Sequence, residues 1–201
     1  MPGGSAGPAD VDLIERALRG EREAFAALYS RYQAIIYRFA RSMTGSEAIA
    51  EDVTQEVFLT LMGNLARYEP ERACLSTYLY GIARNLTRAR LRRERRFVNL
   101  EDPVALASGS GTWDDSAAVL ARAQDLASLR KAIVRLPSRH REVVVLCDIH
   151  GLSYVEAAGV IETPVGTVRS RLHRARQLLV AILRPDAASP SSPRPRRGQL
   201  G

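Results

Sequence analysis

Apolar residues recur at helical spacing along almost the whole chain, and no stretch alternates as a half-buried strand would. The pattern predicts helices over residues 11–18, 25–43, 49–65 and 76–96. Gly20 and Gly45 stand where the first two should stop, and Tyr68-Glu69-Pro70-Glu71-Arg72 interrupts the period as a loop. From residue 97 to 116 the period fails. A second helical block is expected over residues 117–183. Within it, Val143-Val144-Val145-Leu146 could pass for a strand, but Arg141 and Glu142 precede it and Gly151 follows, so it reads as a buried helix segment. The first dozen residues and the Pro-, Ser- and Arg-bearing tail from Pro185 are expected to be unfolded.

The expected fold is therefore all-α, with two small helical domains on a flexible tether. An N-terminal helical bundle should span residues 10–96 and a C-terminal helix-turn-helix domain residues 120–184. A flexible linker should cover residues 97–119, with disordered ends at 1–9 and 185–201. The linker carries Glu101, Asp102, Asp114 and Asp115, and no basic residue lies between Phe97 and Ala121. It is an acidic linker in a basic chain.

Charge sharpens the picture. The 201 residues carry a formal net charge of +7, which points to an anionic partner. Lys131 is the only lysine, so the basic groups are almost all arginine, whose forked donors suit phosphates and base edges. Cys74 and Cys147 have no metal-clip spacing, and Cys147-Asp148-Ile149-His150 offers too few ligands for structural zinc, so no metal or cofactor is expected. No signal peptide opens the sequence and no apolar run approaches the ~20 residues of a membrane span, so a cytoplasmic protein is expected.

The chemistry concentrates in the second block. Ser153 is a good N-cap and precedes Glu156 by the capping-box spacing. Pro164 suits the first turn of a following helix. From Pro164 to Pro185 there is no acid. At about 100° per residue, Val168, Leu172, Ala175 and Leu179 share one side of that helix. Ser170, His173, Arg174 and Gln177 share the other, flanked by Thr167 and Arg169. A short capped helix, a turn and a basic second helix make up the grammar of a major-groove reader.

Two further faces ask for partners. The helix over 76–96 should bury Leu79, Ile82, Ala83 and Leu86 and expose Arg84, Asn85, Arg88, Arg92 and Arg95, with Glu94 its sole acid. Like charges at i, i+4 destabilise a helix by a few tenths of a kcal/mol per pair, so an anion should neutralise the stripe. The loop before it offers Tyr68, Arg72, Ser76 and Thr77, then Tyr78 and Tyr80, a mixture suited to phosphates and unstacked bases. The helix over 47–65 buries Ala50, Val53, Val57 and Leu61 while Asp52, Gln55, Glu56 and Leu59 face outward. An outward leucine among acids suits a protein-docking surface.

These segments together resemble the extracytoplasmic-function (ECF) sigma factors of the sigma-70 family. The resemblance is carried by Ala50-Glu51-Asp52-Val53-Thr54-Gln55-Glu56-Val57-Phe58-Leu59 and by Tyr68-Glu69-Pro70-Glu71-Arg72 running into Tyr78-Leu79-Tyr80-Gly81-Ile82-Ala83-Arg84-Asn85. In the second block it is carried by Leu136-Pro137, Arg141-Glu142-Val143, and Gly151-Leu152-Ser153-Tyr154 through Ala175-Arg176.

The resemblance implies a monomeric, non-catalytic subunit that directs core RNA polymerase to promoters and nucleates melting, under an anti-sigma factor. It implies that Asp52, Gln55, Glu56 and Leu59 dock on the beta-prime clamp helices, and that the second domain receives the beta flap. Tyr68, Arg72, Tyr78, Arg84, Asn85 and Arg88 would read the minus-10 element, and Thr167, Arg169, Ser170, Arg171, His173 and Arg174 the minus-35 element. In this chain Tyr78 stands where many relatives have Trp, Ala73-Cys74-Leu75 departs from the usual loop, and Glu162 sits in the turn where Gly or Asn is usual.

A stand-alone helix-turn-helix repressor or activator is the alternative. It would leave the arginine stripe and acidic linker unused and would require a dimer on palindromic half-sites. An enzyme is the weakest reading, since no phosphate-cradling glycine loop and no nucleophile–base set is present.

Overall fold

A computed structural model describes residues 8–98 and 117–184, and within these it is helical without strands. In the first unit, α1 spans Pro8–Leu18, α2 Arg22–Thr44, α3 Glu47–Asn64 and α4 Leu75–Val98, with a short 3-10 turn at Leu65–Arg67 after α3. In the second, α5 spans Ala117–Arg135, α6 Ser138–Val143, α7 Tyr154–Ile161 and α8 Val165–Leu183. The acidic stretch expected as a linker and the tail from Pro185 lie outside the described residues, apart from the ends of α4 and α5.

The helices follow from the apolar spacing. α2 buries Leu28, Tyr32, Ile36, Phe39, Ala40 and Met43, and α3 buries Ala50, Val53, Val57 and Leu61. Gly45 ends α2 in the left-handed region at φ 76°, its N–H returning to Arg41 O, and the Ser46 hydroxyl then caps α3 by accepting from Ile49 N–H. The N-terminus differs from expectation, because α1 begins at Pro8 and Asp10 is buried. Its carboxylate accepts from Tyr32 Oη at 2.5 Å and pairs with Arg31, which ties α1 to α2. A buried carboxylate needs such partners, and they stand too far along the chain for local periodicity to reveal.

Val143-Val144-Val145-Leu146 is helical and buried, as read. Its form is less ordinary, since α6 widens into a π-helical segment at Val144–Ile149. That widening ends at His150, whose N–H returns to Val145 O at 3.0 Å.

The two units also pack against each other. Their buried apolar residues form one cluster that runs from Ile14 to Ala175. α5 approaches α2 closely enough that a Cβ on Gly45 would lie 3.1 Å from Val134 Cγ2. Arg141, buried, donates to Met43 O at 2.5 Å and to Val134 O and Leu136 O, so it satisfies end-of-helix carbonyls of α2 and α5 together.

Candidate nucleic-acid interface

The reading helix α8 is aimed by the helix before it. Ser153 Oγ accepts from Glu156 N–H at 3.2 Å while Glu156 Oε2 accepts from Ser153 N–H at 2.8 Å, the reciprocal capping box that the spacing predicted. α7 ends at Glu162, which takes the left-handed conformation at φ 53°, and Pro164 then starts α8 from the N-cap position. Val168, Leu172 and Ala175 are buried beneath α8. Burying them fixes the helix's rotation and leaves Arg169, Ser170, His173, Arg174 and Gln177 exposed, with Thr167 and Arg171 half-buried at the flanks.

Three of the outward side chains are linked. Arg174 Nη1 donates to Gln177 Oε1 at 3.0 Å, and the Gln177 amide lies 3.0 Å from His173 Nε2. Ser170 Oγ donates to Thr167 O. Arg176, by contrast, is held by Asp148 at 2.6 and 3.1 Å, off the reading face. The outer face is thus cationic and forked, with donors fit for guanine and phosphate oxygens.

The second face lies on α4 and the loop before it. Tyr68 is buried, its ring 5.3 Å from Tyr78 and its hydroxyl donating to Ala73 O at 2.8 Å, so it shapes the loop from within. Burial pushes its phenol up to about 12. Arg72 is exposed beside Glu69, and Tyr78 is half-buried. Cys74 Sγ lies 3.0 Å from Thr77 Oγ1 and 3.2 Å from Ser76 Oγ.

Further along α4, Asn85 and Arg92 are exposed as expected; the side chain of Arg95 lies outside the described residues. Arg84 corrects the expectation of an outward arginine, being only 8% exposed. Its Nε is 3.3 Å from Glu142 Oε2, and Arg88 Nε is 3.5 Å from Glu142 Oε1. A helical wheel counts one helix alone, and here the second unit covers one stripe of it.

On α3, Asp52 and Gln55 are exposed, and Leu59 and Met62 stand 62% and 59% exposed. Glu56 is half-buried and paired with Arg90 Nη2 at 3.0 Å, while Asp52 lies 3.7 Å from Arg90. Sequence reasoning missed Arg90, Met62 and Glu142. Glu142 carried a usable signal: an acid heading a wholly apolar run has to be buried with a cation. Among the described residues no group of three His, Cys, Asp or Glu could hold a metal ion, and burial pushes the Cys147 thiol up to about 11.

Two family models match this chain, Sigma-70 region 2 over residues 28–97 and Sigma-70 region 4 over residues 126–179. The ECF RNA polymerase sigma factor SigW of Bacillus subtilis is 33% identical over 180 residues, covering 85% of this chain and 95% of that protein. The chain belongs to the sigma-70 family, as an ECF RNA polymerase sigma factor. Another relative, the ECF sigma factor SigC of Mycobacterium tuberculosis, is 34% identical over 87% of this chain and 91% of its own length.

Solved structures agree with the sequence relatives. The structure of CnrH in complex with the cytosolic domain of CnrY matches with a TM-score of 0.66 and 29% identity, over 89% of this sigma factor and 99% of that chain. The sigma factor RpoE from Bartonella quintana, co-crystallised with the anti-sigma factor NepR, matches with a TM-score of 0.64 and 26% identity, over 81% and 98%. The region 2 match covers most of α2 together with α3 and α4, and the region 4 match covers the helix-turn-helix. No helix among the described residues is long and apolar enough to cross a membrane.

Proposed function

We propose that this sigma factor acts in the cytoplasm as a non-catalytic subunit, reading two promoter elements with two separate helices. Thr167, Arg169, Ser170, Arg171, His173 and Arg174 of α8 face the minus-35 element in the major groove. Arg72, Tyr78, Arg84, Asn85 and Arg88 meet the minus-10 strand, with Tyr68 supporting their loop from beneath. The observation that carries this reading is the acid-free outer face of α8, aimed by a capped α7 and a buried Val168–Leu172–Ala175 stripe.

Core polymerase docks on α3 through Asp52, Gln55, Glu56 and Leu59, and the exposed Met62 extends that surface. The beta flap meets the second unit. An anti-sigma factor holds the free protein, a reading supported by the RpoE relative's complex with NepR. The docking assignment is tested by reversing both charges, Asp52→Lys with Glu56→Lys. Co-purification with core polymerase should be lost while the circular dichroism of the free chain is kept; undiminished co-purification would remove α3 from the interface.

A further inference from the structure

The face of α4 offered to the minus-10 strand has a gap in it. Tyr78, Gly81, Asn85, Arg88 and Arg92 follow one another at spacings of three and four, so they share one stripe of the helix, and none of them is acidic. Tyr78 and Arg88 are half-buried, while Asn85 and Arg92 are exposed. Gly81 lies among them, half-buried although it has no side chain. A Cβ placed there would meet nothing within 4 Å. The stripe is therefore notched at Gly81, with bare backbone for a floor, an aromatic ring one turn before it and an amide one turn after.

Nothing inside the chain asks for this glycine. Gly81 stands well inside α4, where glycine is among the poorest helix formers, and its backbone is not left-handed. Gly63 and Gly166 lie in the terminal turns of α3 and α8, and Gly159 faces a neighbouring helix, its Cβ site 3.8 Å from Thr77 Cγ2. At Gly81 an alanine would fit and would hold the helix better. Glycine at such a place lets another molecule come against the backbone.

We infer that Gly81 is a seat for the sugar–phosphate chain of the minus-10 strand. One base stacks on Tyr78, a deoxyribose beyond it lies against the α4 backbone at Gly81, and the phosphates that follow are held toward Asn85 and Arg88. A ring, an amide and a guanidinium on one acid-free stripe match the parts of a nucleotide chain. This rests on the reading of α4 as the minus-10 face and adds the residue that sets how closely the strand approaches.

The test uses the holoenzyme of core polymerase with the full chain, carrying Gly81→Ala or Gly81→Leu. The probe is a promoter duplex, mapped by run-off transcription with the unaltered holoenzyme, whose minus-10 element is left unpaired. A side chain in the seat should weaken binding in order of size, about threefold for Gly81→Ala and at least roughly tenfold for Gly81→Leu. Affinity for a duplex carrying the minus-35 element alone should not change. The free Gly81→Ala chain should meanwhile melt about 2–4 °C higher than the unaltered one, because alanine favours the helix. A chain that folds more firmly and binds the minus-10 strand less well separates a contact from a structural role.

A Gly81→Leu holoenzyme that binds the probe as the unaltered one does would overturn the inference. So would a Gly81→Ala chain that melts lower, since the protein itself would then need the space. Either result would leave the minus-10 reading standing. That reading has its own arm: if Arg88→Ala in the assembled holoenzyme leaves promoter opening unchanged, the assignment of α4 falls, and the inference with it.

Discussion

Arg174 stands on the exposed side of α8 with its guanidinium joined to the neutral amide of Gln177, and Gln177 in turn to His173. Such a set holds a forked donor in place without neutralising it. Arg174→Ala should cost about 1–3 kcal/mol on the cognate promoter and relax selectivity at one minus-35 position. Binding assays across single-base variants check this, and an equal loss on every sequence would make Arg174 a phosphate contact. At this scale the sequence was informative wherever a side chain answers to its own helix, as with Ser153, Val168 and Leu172. It was uninformative for Arg84, whose burial depends on Glu142, 58 residues away.

Among the elements, α7 shows how a local choice departs from the best local solution. Its C-cap Glu162 adopts φ 53° and ψ 54°, a region in which a side chain with a Cβ is strained. Glu162→Gly should raise stability by about 0.5–1 kcal/mol, the relief of strain exceeding the added backbone entropy of glycine. Thermal melts of the two chains decide it, and a lower melting temperature for the glycine variant would show that Glu162 makes a compensating contact. Element existence and type were legible because helical periodicity and the Gly45 and Ser153 signals are local. The π-helical widening at Val144–Ile149 was not, since nothing in an all-apolar run distinguishes five-residue from four-residue hydrogen bonding. The early start of α1 was hidden for the reason given by Asp10: its stabilising partners lie on another helix.

Across the whole molecule, the seam between the two units contains a titratable group. His150 Nδ1 meets Tyr80 Oη, its Nε2 is buried with no partner among the described residues, and its ring lies 5.9 Å from Phe39. Burial first, and the nearby Arg38 of α2 second, push its pKa down to about 4; Tyr80, facing it from α4, is pushed up to about 12 by burial and stays neutral. The folded protein thus favours neutral His150. Its contribution is complete above the unfolded value of about 6.5 and is lost as pH falls toward 4, up to about 3 kcal/mol in all. Melting curves of the wild type and His150→Asn should therefore converge as pH is lowered through that window. Parallel curves would mean that His150 titrates normally. Packing of this kind was beyond sequence reasoning, which found two helical units correctly but had no means of placing one against the other.

The most direct test of the sigma-factor account is run-off transcription by core polymerase reconstituted with this chain on a library of promoter variants. The expected result is a stoichiometric complex that starts transcripts at defined positions, with sequence requirements at both elements and with Arg174→Ala and Arg88→Ala relaxing different ones. A chain that fails to bind polymerase and instead shifts a palindromic duplex as a dimer would contradict it.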